Sequence, residues 1–340
     1  MVGAPLQVTR EQVLAFRRGV DALGTRLPPG AASLRRAAWA GLQDSAPRAA
    51  LLSIHARLHD VSPSDWSHPS LVQVWGPRFS TYVVAEQDRA VFTLGRLSLD
   101  PERRRAAEDL ADRLERLLDG ARWSYRDAGQ ALGIHPSGLR YAGPTGRVLL
   151  RWEGAGRPVV WTVPAPEVEP DQARLELARR FLHVLGPGTP GSFEQWAGLR
   201  SGRGAAVFAE LGDSLVPVRA PAGEGWVLAA DEESLRCPAG EVAPARLLPS
   251  GDTHVLAWGR DRELLVPDPG RRDLLWTRRV WPGAVLVDGG VAGTWRRTRQ
   301  TVTVQPWGPL APAAREAVEA EAASMPLPGL GRPVTVRWEG

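Results

Sequence analysis

Groups of helical segments followed by a pair of short β-rich runs recur three times along this 340-residue sequence. In each group, helical spacing of apolar residues gives way to two strand-like runs joined by turn residues. Helical segments are predicted at 8–22, 32–43 and 46–58, then at 100–120 and 124–146, and finally at 171–186, 192–199 and 202–212. The strand pairs follow at 70–75 with 80–84, within 147–163, and at 215–220 with 225–230. Helices followed by a small hairpin are typical of the winged-helix fold, in which the hairpin forms the wing.

The recurrence predicts an α+β fold made of three tandem winged-helix units and a β-rich C-terminal section. We expect the units to span residues 1–98, 99–168 and 169–240, and the β-rich section to span 241–340, interrupted by a helix at 311–324. The units share little sequence, so they are architectural repeats rather than copies. Winged helices read the grooves and backbone of nucleic acid, although the fold also serves as a protein-interaction module.

All 42 basic side chains are arginines, and the sequence contains no lysine. A GC-rich genome explains this bias, but its chemical consequence holds whatever the origin. Arginine stays protonated and grips phosphate with two parallel hydrogen bonds, yet it cannot act as a nucleophilic amine. A net charge of +4 with several paired arginines permits a basic groove without proving one.

Cysteine and histidine usage argues against metal chemistry. The single Cys237 excludes an internal disulfide and a Cys-rich zinc site. His55 and His59 stand four residues apart on a predicted helix without a third ligand, so neither a metal nor a cofactor is predicted. We find no signal peptide and no apolar run of membrane-spanning length, which leads us to expect a cytoplasmic protein with no membrane partner.

The segment LQDS at residues 42–45 interrupts the apolar helical spacing. Asp44 and Ser45 are both good N-cap residues for the helix predicted at 46–58, so the segment reads first as a helix boundary. Gln43 adds a polar amide that a cap does not need. The residues alone leave open whether this is a boundary or polar chemistry placed at one.

Several phrases of the sequence resemble the winged-helix family of bacterial DNA glycosylases called AlkZ and YcaQ. In chain order they are LQDSAPRAAL, VWGPRFSTYVV, ARLELARRFLHVLGPGTPGSFEQWAGL, RDRELLVPD and PGAVLVDGGVAGTWRR, and the likeness extends over residues 8–340. The resemblance implies tandem winged helices around a concave face that binds double-stranded DNA. It also implies excision of N7-alkylated purines and unhooking of interstrand crosslinks, by a monomer associated with the nucleoid.

The catalytic signature of that family is a Gln-x-Gln or Gln-x-Asp motif near the end of an early helix. Gln43 matches the first position, whereas Ser45 stands where the family has Gln or Asp, and Asp44 lies one place early. The resemblance implies that Gln43 directs its carbonyl dipole at the positive charge developing on the sugar. Ser45 would hold the attacking water, and Asp44 would polarise it if its carboxylate points inward.

The resemblance also implies DNA contacts. Near the first wing, where the family has a Trp-x-x-Arg-like element beside the active site, they are Trp75, Arg78 and Ser80. Arg140 joins them if its segment is a recognition helix.

A hairpin at 287–304 is predicted to probe the minor groove, although an ordinary strand pair is an equal alternative. We expect Gly289 and Gly290 at its tip. The side chains expected to contact DNA after the tip are Trp295, Arg296 and Arg297.

Two alternatives to a glycosylase remain. The departure at Ser45 allows a catalytically silent winged-helix DNA binder, such as a regulator or damage sensor, and a protein scaffold without a DNA role is the other. If the protein is a glycosylase, we expect it to be monofunctional, because a strand-cutting lyase needs an amine that forms a Schiff base. Without lysine, only the N-terminal amine remains, in a segment 1–7 that we expect to be a loose tail.

Overall fold

The computed structural model of the chain describes residues 4–46, 48–152, 156, 158–238, 240–329 and 334–339. Its α-helices are α1 (Arg10–Val20), α2 (Ala31–Ala37), α3 (Ala49–Arg57), α4 (Arg89–Phe92), α5 (Pro101–Leu118), α6 (Tyr125–Ala131), α7 (Pro170–Leu185), α8 (Pro190–Ala197), α9 (Arg203–Leu211), α10 (Glu232–Arg236), α11 (Arg260–Leu265), α12 (Pro269–Leu275) and α13 (Pro312–Ala323). Its strands are β1 (Leu6–Gln7), β2 (Leu42–Gln43), β3 (Leu71–Trp75), β4 (Thr81–Ala85), β5 (Trp123–Ser124), β6 (Val148–Arg151), β7 (Val159–Thr162), β8 (Leu215–Ala220), β9 (Gly223–Leu228), β10 (Ala245–Leu248), β11 (Gly283–Val287), β12 (Gly290–Thr298), β13 (Thr301–Pro306) and β14 (Thr335–Trp338). Among the short 3-10 helices are Pro77–Phe79 and Pro136–Thr145.

Side-chain caps define where the predicted helices begin. At the start of α1, the Thr9 hydroxyl accepts a hydrogen bond from the backbone N–H of Gln12, and the Gln12 side chain accepts one from the backbone N–H of Thr9. This reciprocal cap satisfies two amides that the helix itself leaves without partners. At the start of α5, the Asp100 carboxylate accepts from the amides of Glu102 and Arg103. The helices predicted at 8–22 and 100–120 are therefore confirmed, and these caps set their first residues.

The two wings predicted in the first half of the chain belong to a single sheet. Its strand order is β2-β4-β3-β6-β7-β5, and β3 joins β6 through the pair Gln73 and Leu150. The α+β class is confirmed, but two separate wings were expected, and the backbone pairing of β3 with β6 merges them. The boundary at residues 98 and 99 stays a prediction. Residues 153–155 and 157, in the predicted turn of the second wing, lie outside the described residues.

The third group of helices carries a sheet that includes the N-terminal strand. β1 pairs in parallel with β8, which pairs with β9, so that Leu6 lies opposite Val218. The backbone N–H of Val8 continues this pairing by donating to the carbonyl of Arg219. The expectation of a loose tail is wrong for Leu6–Gln7, because parallel pairing and burial of Leu6 fix the strand against β8.

The C-terminal section is β-rich, as predicted, and forms a sheet in the order β10-β11-β12-β13-β14. The predicted hairpin tip needs a correction, because the turn between β11 and β12 consists of Asp288 and Gly289, while Gly290 already belongs to β12. Both turn residues have positive φ, as two-residue hairpin turns require. The Gly289 carbonyl accepts a hydrogen bond from Arg18 of α1 at 3.2 Å, so this turn packs against a helix. A second turn, at 299–300, joins β12 to β13.

The region around Gln43 also differs from the prediction. The helix expected at 32–43 ends at Ala37, and Leu42–Gln43 form a strand instead. Gly41 adopts φ +75°, a left-handed conformation that breaks the helix and turns the chain toward β4. The next helix begins at Ala49 rather than at 46. No helix in the described part of the chain is long and apolar enough to cross a membrane.

Candidate active site

Gln43 is held at the edge of the six-stranded sheet. β2 pairs antiparallel with β4, which places Gln43 opposite Tyr82. The Gln43 side-chain oxygen accepts a hydrogen bond from Nη2 of Arg78 at 2.9 Å and a longer one from the Tyr82 hydroxyl at 3.4 Å. Because arginine can only donate, this contact fixes which end of the amide faces Arg78.

Arg78 is the residue that orients Gln43. It lies in the turn between β3 and β4 with φ +55°, and its guanidinium also donates to the Trp196 carbonyl at 2.6 Å and to the Tyr82 hydroxyl at 3.1 Å. Its plane lies over the Trp258 ring, 4.7 Å from the centroid. Burial raises the pKa of the Tyr82 hydroxyl, which stays protonated as a donor and acceptor in this cluster. Arg78 is therefore anchored on three sides and presents one N–H group to Gln43.

Asp44 points away from Gln43 and into the protein. One carboxylate oxygen accepts from the backbone N–H of Ala50 at 3.0 Å, and the other accepts from the Gln73 side-chain amide at 2.7 Å. Burial raises the pKa of this carboxyl from 3.8 to about 6, against the opposing hydrogen bonds from Ala50 and Gln73. Asp44 thus binds an amide in the first turn of α3 from outside the helix, whereas the expectation that it is the N-cap residue is wrong, because α3 begins at Ala49 and Arg48 holds that position. It does not polarise a water near Gln43, because its carboxylate does not point toward that residue.

Ser45 lies in a bend of the chain two residues after Gln43 and is exposed. The backbone N–H of Asp44 donates to the Thr81 carbonyl, which continues the extended pairing one residue beyond β2 and ends it before Ser45. Its hydroxyl has no hydrogen-bond partner among the residues that the structure describes.

The loop after β10 packs behind Gln43. Gly251 adopts φ +77°, and a Cβ atom there would lie 3.1 Å from the Gln43 side-chain nitrogen. The Thr253 hydroxyl donates to the Gly41 carbonyl at 3.1 Å, which ties this loop to the chain just before β2. This loop was expected only to belong to a β-rich region, since no local pattern in residues 251–254 indicates a contact with a segment two hundred residues away.

A buried ion pair anchors the same loop. Arg57 of α3 donates two hydrogen bonds to the Asp252 carboxylate, at 2.7 and 2.9 Å, and Ser53 donates a third at 2.6 Å. Burial alone would raise the pKa of Asp252, but Arg57 holds it below the ordinary value. A buried charge pair with these extra hydrogen bonds fixes a single geometry. The ion pair therefore sets the position of Gly251 against Gln43.

Two of the predicted DNA contacts are wrong for a physical reason. Trp75 is 4% exposed and packs in the core beneath α5, and Trp295 is 6% exposed with its indole N–H donating to the Leu248 carbonyl. Neither ring is accessible to a nucleic acid. Their β positions and aromatic character could not distinguish a core residue from a surface one.

The remaining predicted contacts reach the surface on different elements. Ser80 is partly exposed in the turn that carries Arg78. Arg140, in the 3-10 helix Pro136–Thr145, lies against the Tyr141 ring, 5.2 Å from its centroid. On β12, Arg296 donates to the Val280 carbonyl at 2.8 Å, and Arg297 donates to the Arg299 carbonyl at 2.5 Å.

The side chains of His55 and His59 do not face a common metal position. His55 is buried beside Ser324, at 2.9 Å between Nε2 and the hydroxyl oxygen, whereas His59 is exposed. Burial and the nearby charges of Arg26 and Arg246 lower the pKa of His55 to about 3. Within the described ranges, no three acidic, histidine or cysteine side chains are placed to share a metal ion.

Comparisons with known proteins agree with this architecture. A family model described as DNA glycosylase AlkZ-like matches residues 36–326. A curated relative, the interstrand DNA cross-link repair glycosylase of Streptomyces sahachiroi, is 29% identical over 188 residues. That match covers 52% of this chain and 50% of the relative, so the chain spans about half the length of the curated relative it matches. The solved structure of the Streptomyces sahachiroi DNA glycosylase AlkZ superposes with a TM-score of 0.79 at 20% identity, over 98% of this chain and 100% of that one.

Proposed function

The chain belongs to the AlkZ-like DNA glycosylase family, and we propose that it hydrolyses the N-glycosidic bond of N7-alkylated purines in double-stranded DNA. We extend the proposal to unhooking interstrand crosslinks formed at the same purine atom. The observation that carries it is the placement of Gln43, whose amide is held in one orientation by Arg78, with the exposed Ser45 two residues along the chain.

The proposed reaction needs little acid catalysis from the protein. Alkylation at N7 makes the purine cationic, so it leaves readily, and the sugar develops positive charge. A neutral carbonyl oxygen stabilises that charge without trapping a cation. The Gln43 oxygen accepts from Arg78 at 2.9 Å and from the Tyr82 hydroxyl at 3.4 Å, so a water or the sugar would take the place of the longer contact with Tyr82.

We assign the attacking water to the space between Gln43 and Ser45. The serine hydroxyl can hold a water but is a weak base, so the site would act only on lesions that are already activated. Arg78 serves as the positioning residue for Gln43. Asp44 has no catalytic role in this proposal, because its carboxylate is enclosed by Ala50 and Gln73.

Binding of the duplex would rest on arginine contacts to phosphate, within a fold that we interpret as tandem winged helices. Arg140, Arg296 and Arg297 are the candidates that reach the surface. A bulky or crosslinked adduct does not fit a snug base pocket, so we propose that the lesion stays largely stacked in the duplex. The β12–β13 hairpin, which carries both Arg296 and Arg297, would follow the minor groove.

We propose that the product is an intact strand with an abasic site. A Schiff base needs a nucleophilic amine, and the described chain offers no lysine side chain to supply one. After excision, the strand should break only on heating in alkali, and borohydride should trap no covalent protein–DNA adduct. A trapped adduct would point to the terminal amine and contradict a monofunctional reaction.

A DNA binder without catalysis is the second candidate, because Ser45 departs from the family motif and Arg78 occupies one lone pair of the Gln43 oxygen. Incubating the protein with a duplex that carries one N7-methylguanine separates the two candidates. Release of free N7-methylguanine above the spontaneous rate supports the glycosylase. Tight binding of the duplex with release at the spontaneous rate supports the silent binder.

A further inference from the structure

A cavity of about 610 Å³ is lined in part by Phe79, which belongs to the turn that carries Arg78. One wall is a face of α5, where Arg103, Ala106, Leu110 and Arg113 follow one another at helical spacing. Opposite walls come from the 3-10 helix Pro136–Thr145 and from the segment between α8 and α9. This volume is within the range of sites that hold drug-sized molecules.

Apart from its arginines, Ser98 and Asp100, the cavity is lined mainly by apolar side chains. Leu99 and Tyr141, each 50% exposed, both line it, and Ile134 and Leu110 add apolar surface. Exposed apolar side chains that converge on a concavity, rather than lying singly on the surface, mark a binding site. The Tyr141 ring also meets the Phe79 ring edge to face, with centroids 5.2 Å apart.

The charge around the cavity is strongly one-sided. Asp100 is the only carboxylate among the described lining residues, and the arginines that line the cavity are Arg96, Arg103, Arg113, Arg174, Arg200 and Arg203. Asp100 is already engaged, since it caps α5 and lies 3.6 Å from Arg200.

Four of these six arginines form an inner and an outer set, while Arg113 donates to the Leu132 carbonyl and Arg200 lies near Asp100. Arg96 and Arg174 are buried and donate to backbone carbonyls, so they belong to the frame of the protein. Arg103 and Arg203 are exposed, and within the described part of the chain their guanidinium groups make no hydrogen bond or ion pair. Guanidinium groups bind anions bidentately and stack on flat surfaces.

We propose that this cavity is a second binding site, which takes a free organic anion with a planar apolar body. The apolar body would lie between Leu110 and Tyr141, with its anionic group at Arg103 and Arg203. The site is separate from Gln43, but its wall residue Phe79 directly follows Arg78 in the chain. The inference does not depend on excision of any base.

The test uses the full chain without DNA and two fluorescent probes, 1-anilinonaphthalene-8-sulfonate and its uncharged analogue N-phenyl-1-naphthylamine. We expect saturable binding of one sulfonate probe per chain, and about 10-fold weaker binding of the uncharged probe. Tyr141→Ala removes a wall, and Ala106→Trp fills the cavity from an exposed helical position. Each should weaken sulfonate binding about 10-fold, whereas the matched Ala320→Trp, on the exposed face of α13, should not change it.

The proposal is overturned if the sulfonate probe does not saturate, or if Tyr141→Ala and Ala106→Trp bind it as the wild type does. Equal affinity for the charged and uncharged probes would overturn the assignment of an anion. Arg103→Gln with Arg203→Gln should remove the preference for the charged probe. None of these readouts involves excision, so a failed glycosylase assay leaves them unaffected.

Discussion

Gln43 and Asp44 are neighbours in the chain, yet their environments assign them opposite roles. The Gln43 amide lies at the edge of the sheet with one oxygen lone pair held by Arg78, whereas Asp44 is enclosed between α3 and β3. The difference follows from strand alternation, which sends successive side chains to opposite faces. The Asp44 carboxylate is thereby used to bind a first-turn amide of α3 and the Gln73 side chain.

The pH dependence of stability should report the burial of Asp44. Its pKa is raised from 3.8 to about 6 in the folded protein, so the folded state binds this proton more tightly than the unfolded state. The stability contributed by that proton is present below about pH 4 and is lost as the pH rises through about 6, an effect of about 3 kcal/mol. The asparagine in Asp44→Asn does not titrate. The free energy of unfolding of this variant, relative to that of the wild type, should therefore increase as the pH rises from about 4 to about 6.

Thermal or urea unfolding of both proteins at several pH values between about 4 and 7 measures this difference. The exposed Asp60→Asn is the matched control and should follow the wild type throughout. If the profiles of the wild type and Asp44→Asn stay parallel, the carboxyl does not titrate in this range and the assigned burial is incorrect.

At the scale of elements, the loop after β10 packs against Gln43, although the two segments lie about two hundred residues apart in the sequence. Gly251→Ala would place a Cβ 3.1 Å from the Gln43 nitrogen, at a backbone conformation with φ +77°. We expect a loss of stability of about 1–2 kcal/mol from the conformation alone. We also expect base excision to slow about 10-fold, because the displaced Gln43 amide no longer accepts a well-aligned hydrogen bond from Arg78.

Gly120→Ala is the control for this prediction. Gly120 has the same φ of +77°, and a Cβ there would meet nothing within 4 Å. Gly120→Ala should therefore lower the free energy of unfolding about as much as Gly251→Ala does, and it should excise base at the wild-type rate. Unfolding and single-turnover release of base measure the two quantities. Equal excision rates in the two variants would show that the loop does not position Gln43.

The elements themselves were largely predictable, and the way they join was not. Helices with strong periodicity and local caps, such as α1 and α5, lie at the predicted positions, because caps and apolar spacing are local signals. The pairing of β3 with β6 and of β1 with β8 depends on contacts between distant segments, which no local pattern encodes.

The candidate site divides in the same way. Gln43 and Arg78 were found from short motifs, and the structure brings their side chains together. Gly251 and Trp258 were missed, because they meet the site through packing of a distant loop. Trp75 and Trp295 were assigned to the surface, since a tryptophan in a strand gives no sign of which face it occupies until the sheet is packed.

At the scale of the whole molecule, a net charge of +4 is small, so the proposed affinity for DNA would come from local arginine clusters. Binding to duplex DNA should weaken along a straight line in a plot of log affinity against log salt, because phosphate contacts release counterions. Arg297→Ala should reduce that slope by about one unit. The exposed Arg219→Ala, which removes an arginine paired with Glu224 in another sheet, should leave the slope unchanged.

Fluorescence anisotropy of a labelled duplex at several salt concentrations measures both slopes. A flat response to salt would contradict phosphate binding and favour a protein scaffold. An unchanged slope in Arg297→Ala would remove the β12–β13 hairpin from the DNA interface. The monomeric state stays a prediction, and sedimentation of the same samples tests it.

The central claim is that Gln43 carries the chemistry, and the most direct test is single-turnover release of N7-methylguanine from a duplex by Gln43→Ala. Gln172→Ala, an exposed glutamine on α7, is the matched control. We expect Gln43→Ala to release base about 10²-fold more slowly than the wild type, the usual effect of losing one positioned electrostatic group. Its affinity for the duplex should be unchanged, and Gln172→Ala should match the wild type in both measurements. Release by Gln43→Ala at the wild-type rate would contradict the account.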